Sequence, residues 1–160
     1  MNANEFFNKL VNIGAYQEGE FTLSSRMHTD HKYEFEVALR EPYLDEWILT
    51  AMDGIIPQET EIYVSIGKGG GLLADLLGYR HHKRRGVVMN GELQGHKPRP
   101  GERTAIVEDV ITTGGNLKKL TTIIKPTRAE ILGQYVILRR RECPPDHPAI
   151  AAWDEWDFPI

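Results

Sequence analysis

The spacing of apolar residues changes period several times along this chain, and each change marks an element. Phe6, Phe7, Leu10 and Val11 recur at helical spacing, with Asn4 placed to cap the helix and Gly14 past its end. From Phe21 to Leu39 the pattern is extended, and Tyr33, Phe35 and Val37 alternate as on a half-buried strand. Pro42 opens a second helix through Leu44, Trp47, Ile48 and Met52, which Gly54 closes. A β-rich run, Glu61 to Ile66, leads directly into Gly67-Lys68-Gly69-Gly70-Gly71 and a helix through Leu72, Leu73, Leu76 and Leu77. Further strands are predicted at Gly86–Asn90, Thr104–Val107 and Ile131–Leu138, with a helix from Gly114 to Lys125 before Pro126. Gly91–Gly101, rich in Gly and Pro, reads as a mobile loop. The tail from Glu142 to Ile160 reads as a packed cap. Strands alternating with helices predict an α/β fold whose central, mostly parallel sheet is flanked by helices.

Composition narrows the classes. At 160 residues the chain is expected to be one domain, 1–160. Its 41% hydrophobic and 26% charged content excludes a disordered tail or a collagen-like fibre. The net charge of −4 gives no overall positive field for nucleic acid or an anionic membrane, so neither is expected as a partner. Arg80, Lys83, Arg84 and Arg85 nonetheless crowd one stretch with His81 and His82. Cys143 stands alone, so no intrachain disulfide can form, which fits a reducing compartment. The first residues lack a secretory pattern, and no apolar run approaches the roughly 20 residues of a membrane helix. A cytoplasmic protein is expected.

Two glycine-rich turns carry candidate chemistry. Ligands of open α/β sheets bind beyond the carboxyl ends of the strands, where both turns should lie. At Gly67–Gly71, backbone N–H groups can converge on an anion and Lys68 adds a point charge. The second turn, Glu108-Asp109-Val110-Ile111-Thr112-Thr113-Gly114-Gly115-Asn116, offers hydroxyls, glycine amides and a helix N-terminus to phosphate. Its two carboxylates would repel phosphate and should face hydroxyls or a cation. A ribose 5-phosphate satisfies both halves. No GxxxxGK[ST] occurs, whereas Gly69-x-Gly71-x-x-Ala74 fits a dinucleotide pattern with Glu92 at the ribose offset but leaves the second turn idle. His28-x-x-His31 reads as surface residues rather than zinc ligands, and Trp47, Trp153 and Trp156 read as packing.

The run AIVEDVITTGG, Ala105–Gly115, resembles the phosphoribosyl-pyrophosphate signature of the type I phosphoribosyltransferases. Gly19–Leu23 (GEFTL) and Pro100–Arg103 (PGER) make the resemblance greatest to the orotate phosphoribosyltransferase family. The resemblance implies the family's fold, with a small hood from the N- and C-terminal segments. It implies transfer of ribose 5-phosphate from phosphoribosyl pyrophosphate to a nucleobase, orotate or a related pyrimidine, with Mg²⁺ as cofactor and a homodimer as the working form. Residue by residue, Glu108 and Asp109 would hold ribose hydroxyls, and Asp109 could also accept a proton. Thr112, Thr113, Gly114, Gly115 and Asn116 would grip the 5-phosphate. Gly67, Lys68, Gly69 and Gly70 would meet pyrophosphate, Arg140 the base carboxylate or carbonyl, and Phe35, or else Tyr33, would stack on the base. No direct protein ligand to the metal is implied.

Three departures from the family pattern stand out. The lysine of the family's FTLKSG run is Ser24 here, with Arg26 close enough in sequence to reach the same space. The acid of its Asp-Arg-Gln-Glu run is Arg139. Its long basic catalytic loop has two candidates, Arg80–Arg85 with Arg84 as the catalytic cation, or His96, Lys97 and Arg99 in the Gly91–Gly101 stretch. A non-catalytic phosphoribosyl-pyrophosphate or nucleotide-binding regulator is the alternative function.

Overall fold

The computed structural model describes residues 1–160. In chain order the elements are α1 (Ala3–Asn12), β1 (Tyr16–Thr22), β2 (His28–Tyr33), α2 (Phe35–Ala38), α3 (Leu44–Asp53), β3 (Ile62–Ile66) and α4 (Gly67–His81). There follow β4 (Arg84–Met89), β5 (Glu92–Gly95), β6 (Arg103–Ile111), α5 (Gly115–Ile124), β7 (Glu130–Arg139) and β8 (Ile150–Asp154). The main sheet has the order β5-β4-β3-β6-β7-β8, and β1 pairs only with β2. All neighbours in the main sheet run parallel except β4 and β5. The mostly parallel, helix-flanked sheet expected from the strand–helix alternation is therefore present. No helix is long and apolar enough to cross a membrane.

Two apolar clusters cover the sheet. The larger, of 22 buried residues, joins α1, α2, α3 and α4 to one face through residues such as Phe6, Ile48, Leu73 and Val107. The smaller, of 11, seats α5 on the other through Leu117, Leu120 and Ile124. Each fully buried Leu, Ile or Phe contributes roughly 1.5–3 kcal/mol relative to exposure. The hood is made of α1, the β1–β2 hairpin and the end of the chain. Phe6 stacks on Trp153 at 3.8 Å between ring centroids, and Phe7 meets Phe158 at 5.3 Å.

Several boundaries differ from those the sequence predicts. Asn2, not Asn4, caps α1, in a reciprocal capping box with Glu5. Pro42 does not open α3, which begins at Leu44 behind Tyr43 at φ 71°. Phe35 belongs to no strand. Glu34 N–H donates to Ala15 O as the hairpin ends, and Phe35 starts the short α2. Gly91–Gly101 is not a free loop, because Glu92–Gly95 pairs antiparallel with β4. The tail contributes β8, parallel to β7, a strand too short and too irregular in pattern (Ile-Ala-Ala-Trp-Asp) to read locally. Finally, β6 runs four residues past the predicted Val107, so Glu108 and Asp109 lie inside the strand.

Candidate active site

The parallel strands β3 and β6 end side by side, which brings the turns at Gly67 and at Thr112–Asn116 to one edge of the sheet. On β6, Glu108 is buried and Asp109 half-buried, and both line a cavity of about 230 Å³. Burial and the Asp109 charge hold the Glu108 carboxyl well above the usual carboxylate range. Its Oε1 accepts from the Asp109 N–H at 3.1 Å, while its Oε2 and the nearby Ser65 Oγ are buried without a partner. Asp109 Oδ1 accepts from the Val110 N–H at 2.9 Å.

These carboxylates explain two glycines. A Cβ on Gly69 would collide with Asp109 Oδ2, and one on Gly70 would collide with Ser65 Oγ and Glu108 Oε1. The helix α4 starts at Gly67 itself, at φ 80°, with its first-turn N–H groups lacking helical acceptors at the sheet edge. Gly69 and Gly70 are thus small because α4 packs closely on β6, and Gly67 because of its backbone conformation. Lys68, exposed, lines a groove of about 900 Å³ next to the cavity.

The Thr112–Asn116 turn lies at the cavity. Gly114 takes φ 85° at the N-cap of α5, and Thr112, Thr113, Gly114, Gly115 and Asn116 all line the cavity. The wall behind the cradle had no local signal. His147, from the tail, stands where a Cβ on Gly114 would lie, with Nε2 at 2.5 Å from that position. Its Nδ1 accepts from the Ala149 N–H at 3.1 Å, so the ring proton sits on Nε2. Burial, then Arg139, holds the His147 pKa below its ordinary value.

The opposite end of the cavity is formed by Leu23, Ser24, Ser25, Lys32, Tyr33 and Arg140. Phe35 is not among them. It is 1% exposed in the core, against Phe6 and Tyr33 at 6.4 and 6.0 Å between centroids, so the ring at the cavity wall is Tyr33. Arg26 is exposed in the β1–β2 turn and does not line the cavity, but Lys32 does. Its Nζ lies 2.6 Å from Glu34 Oε1 and 4.8 Å over the Phe21 ring. Strand alternation would turn Lys32 away from the face of Tyr33, so no local signal marked it.

Arg140 lines the cavity yet is almost wholly buried. Its Nη2 donates to Thr29 Oγ1 at 2.8 Å, its Nη1 to His31 O at 3.3 Å, and its Nε to Glu142 Oε2 at 3.2 Å. One Nη1 proton remains for a ligand. Behind it, fully buried Glu155 accepts from the Tyr33 hydroxyl at 2.9 Å and from the Arg141 N–H at 2.8 Å, and sits 2.5 Å from His31 Nε2. Burial and the Glu155 charge push the Tyr33 phenol far above its ordinary value.

The two basic stretches lie elsewhere. Arg84 is the first residue of β4, at the amino edge of the sheet, and its Nη1 meets both oxygens of Glu102 at 2.6 Å. Its Nη2 donates to Lys97 O at 3.0 Å, which places Lys97 at that edge as well. Arg80 is held by Glu46 and Asp53, and Arg85 lies 3.8 Å from Asp75. The reason is topological. After leaving the site, α4 runs 15 residues back, ~22 Å at 1.5 Å per residue, so the chain after it starts at the far edge. Neither Arg84 nor Lys97 lines the cavity of this chain.

No protein-family model matches the chain. Among curated proteins it is 30% identical over 144 residues to the orotate phosphoribosyltransferase of Pyrobaculum aerophilum, covering 84% of this chain and 74% of that one. It is 30% identical over 149 residues to that of Caldicellulosiruptor saccharolyticus, covering 88% and 76%. Its fold matches the crystal structure of orotate phosphoribosyltransferase from Aeropyrum pernix at a TM-score of 0.80, with 20% identity and 93% of each chain covered. It also matches the Mycobacterium tuberculosis orotate phosphoribosyltransferase in complex with 5-phospho-α-D-ribosyl 1-diphosphate at 0.72, with 16% identity and 96% of each covered. A shared fold and 30% identity over 84% of the chain lead to one conclusion: the chain belongs to the orotate phosphoribosyltransferase family.

Proposed function

We propose that the protein transfers ribose 5-phosphate from phosphoribosyl pyrophosphate to orotate, releasing pyrophosphate. One observation carries the reading. The Thr112–Asn116 cradle and Asp109 open on the same cavity as Lys32, Tyr33 and Arg140, so donor and base sites are contiguous. Lys32 and Arg140 make the base end positive, which suits a pyrimidine bearing a carboxylate.

In the reaction, a ring nitrogen of the base bonds to C1 of the ribose as the C1–O bond to pyrophosphate breaks. The electron pair leaves with pyrophosphate, and the nitrogen's proton passes to water. The chain's part is to hold and orient. Backbone N–H groups of Gly114, Gly115 and Asn116 bind the 5-phosphate, Asp109 fixes the ribose hydroxyls, and Tyr33 and Arg140 fix the base plane. Glu108, buried but also lining the cavity, would meet the ribose hydroxyls beside Asp109 while it packs against α4.

Mg²⁺ fits the donor set. Asp109 supplies hard carboxylate oxygen at the cavity, and no cluster of three or more ligating side chains competes for a softer metal. A cation here would take most ligands from the donor and water, the habit of Mg²⁺. When bound it would offset negative charge on the pyrophosphate. Assembly as a homodimer is part of the reading; exposed Tyr43, Trp47 and Tyr79 on and beside α3 and α4 offer a surface, and sedimentation measures it.

The test is pyrophosphate release from phosphoribosyl pyrophosphate and Mg²⁺ with orotate, uracil and adenine. Release with orotate alone is expected. Donor binding without release to any base would favour the regulator, a reading supported by the position of Arg84 and Lys97 outside the cavity.

A further inference from the structure

Between β4 and β5, at the start of the Gly91–Gly101 stretch that is one candidate for the basic loop, the chain makes only the turn Asn90-Gly91. Met89 pairs with Glu92 directly across it, and the two turn residues have φ of 52° and 78°. That is a two-residue hairpin turn with both φ positive, which has no length with which to close over a ligand. This turn therefore cannot act as a lid over the pyrophosphate end of the donor.

The groove beside this turn has no Asp or Glu in its lining. Its cations are Lys68, from the first turn of α4, and Lys118 and Lys119, from α5. All three are exposed and none has a carboxylate within ion-pairing distance, unlike Arg80, Arg84 and Arg85. Gly115, Asn116 and Lys119 line both this groove and the donor cavity, so the two form one surface with Lys119 at the junction. Like charges gathered without counter-charges repel one another, and a polyanion lying between them removes that repulsion.

We propose that Lys119, acting with Lys68, receives the leaving pyrophosphate. The proposal rests on the phosphoribosyl-transfer reading. As the C1–O bond breaks, negative charge grows on the departing oxygen, and an ammonium group fixed beside it binds the transition state more tightly than the ground state. Because α5 also carries the 5-phosphate cradle at its N-terminus, one helix sets the distance between the two anionic ends of the donor. The Asn90-Gly91 turn then takes no part in closing the site.

The experiment compares wild-type protein with Lys119→Ala and Lys119→Arg, all full-length and checked by circular dichroism. Three quantities are measured: turnover with orotate, inorganic pyrophosphate binding with Mg²⁺, and nucleoside 5′-monophosphate binding. Lys119→Ala is expected to lower kcat about 100-fold and weaken pyrophosphate binding about tenfold or more, with monophosphate affinity and orotate KM within about twofold. Lys119→Arg is expected to recover most of the turnover. Unchanged kcat and pyrophosphate affinity in Lys119→Ala would overturn the proposal and leave the transfer reading standing. Weakened monophosphate binding with unaltered pyrophosphate binding would overturn it too, assigning Lys119 to the 5-phosphate. A wild type that binds neither pyrophosphate nor phosphoribosyl pyrophosphate would remove the underlying reading itself.

Discussion

The carboxylate of Glu155 accepts a hydrogen bond from the Tyr33 hydroxyl at 2.9 Å, although 122 residues separate the two in sequence. Through this contact, and through His31 and the Arg141 N–H, the end of the chain holds the wall of the base pocket in place. Glu155→Ala would leave His31 and Arg140 facing a buried hole. A loss of about 3–5 kcal/mol is expected, as for removal of one partner from a buried charged network, measurable by urea unfolding. Glu155→Gln, which keeps an acceptor, should lose less.

Glu108 and Asp109 are adjacent but should respond oppositely to neutralisation. Asp109→Asn removes a charge at the cavity rim and is expected to cut turnover at least 100-fold. Glu108→Gln replaces a buried carboxyl whose neutral form burial already favours, and turnover within about fivefold of wild type is expected. The same shift gives a stability signature. Unfolded, Glu108 ionises near pH 4.3, whereas folded it keeps its proton to much higher pH. The unfolded state therefore binds fewer protons in that window, so this group's contribution makes stability fall as pH rises above about 4.3. Denaturation curves of Glu108→Gln from pH 4 to 8 should show that decline reduced.

Gly114 is constrained twice, by φ 85° and by His147 against its back. Gly114→Val should abolish binding of phosphoribosyl pyrophosphate and destabilise the fold by about 1–3 kcal/mol from the backbone strain alone. Removing the imidazole in Gly114→Ala/His147→Ala should restore part of the stability lost in Gly114→Ala. Calorimetry and thermal unfolding read the two effects separately.

Lys32 is expected to act on the base and not on the donor. Lys32→Ala should raise the orotate KM about tenfold while phosphoribosyl pyrophosphate binding stays within about twofold. Uracil, without the carboxylate, should be a poor substrate for both proteins, so the gap between the two bases should narrow in the variant. Equal effects on donor and base would assign Lys32 to the packing of Phe21 and Glu34 instead.

The signature at Ala105–Gly115 could be read without a structure because its chemistry is local: adjacent acids, hydroxyls and glycine amides on one strand–turn–helix. The parallel sheet was legible for a similar reason, since the alternation of apolar periods is written along the chain. Local pattern could not place Arg84 or Lys97, whose charges suit a polyanion but whose strand register puts them at the amino edge beside Glu102. Nor could it tell Phe35 from Tyr33. Both are aromatic, and only the end of the β1–β2 ladder at Glu34 decides which ring enters the core. Lys32, His147 and Glu155 join the site through contacts between segments distant in sequence. Such contacts depend on how the layers pack, which leaves no periodic trace in either partner. The sequence by itself determined the acid–acid–Thr–Gly turn and the sheet that carries it, while the packing of hood, tail and α5 against that sheet decided which side chains line the cavity.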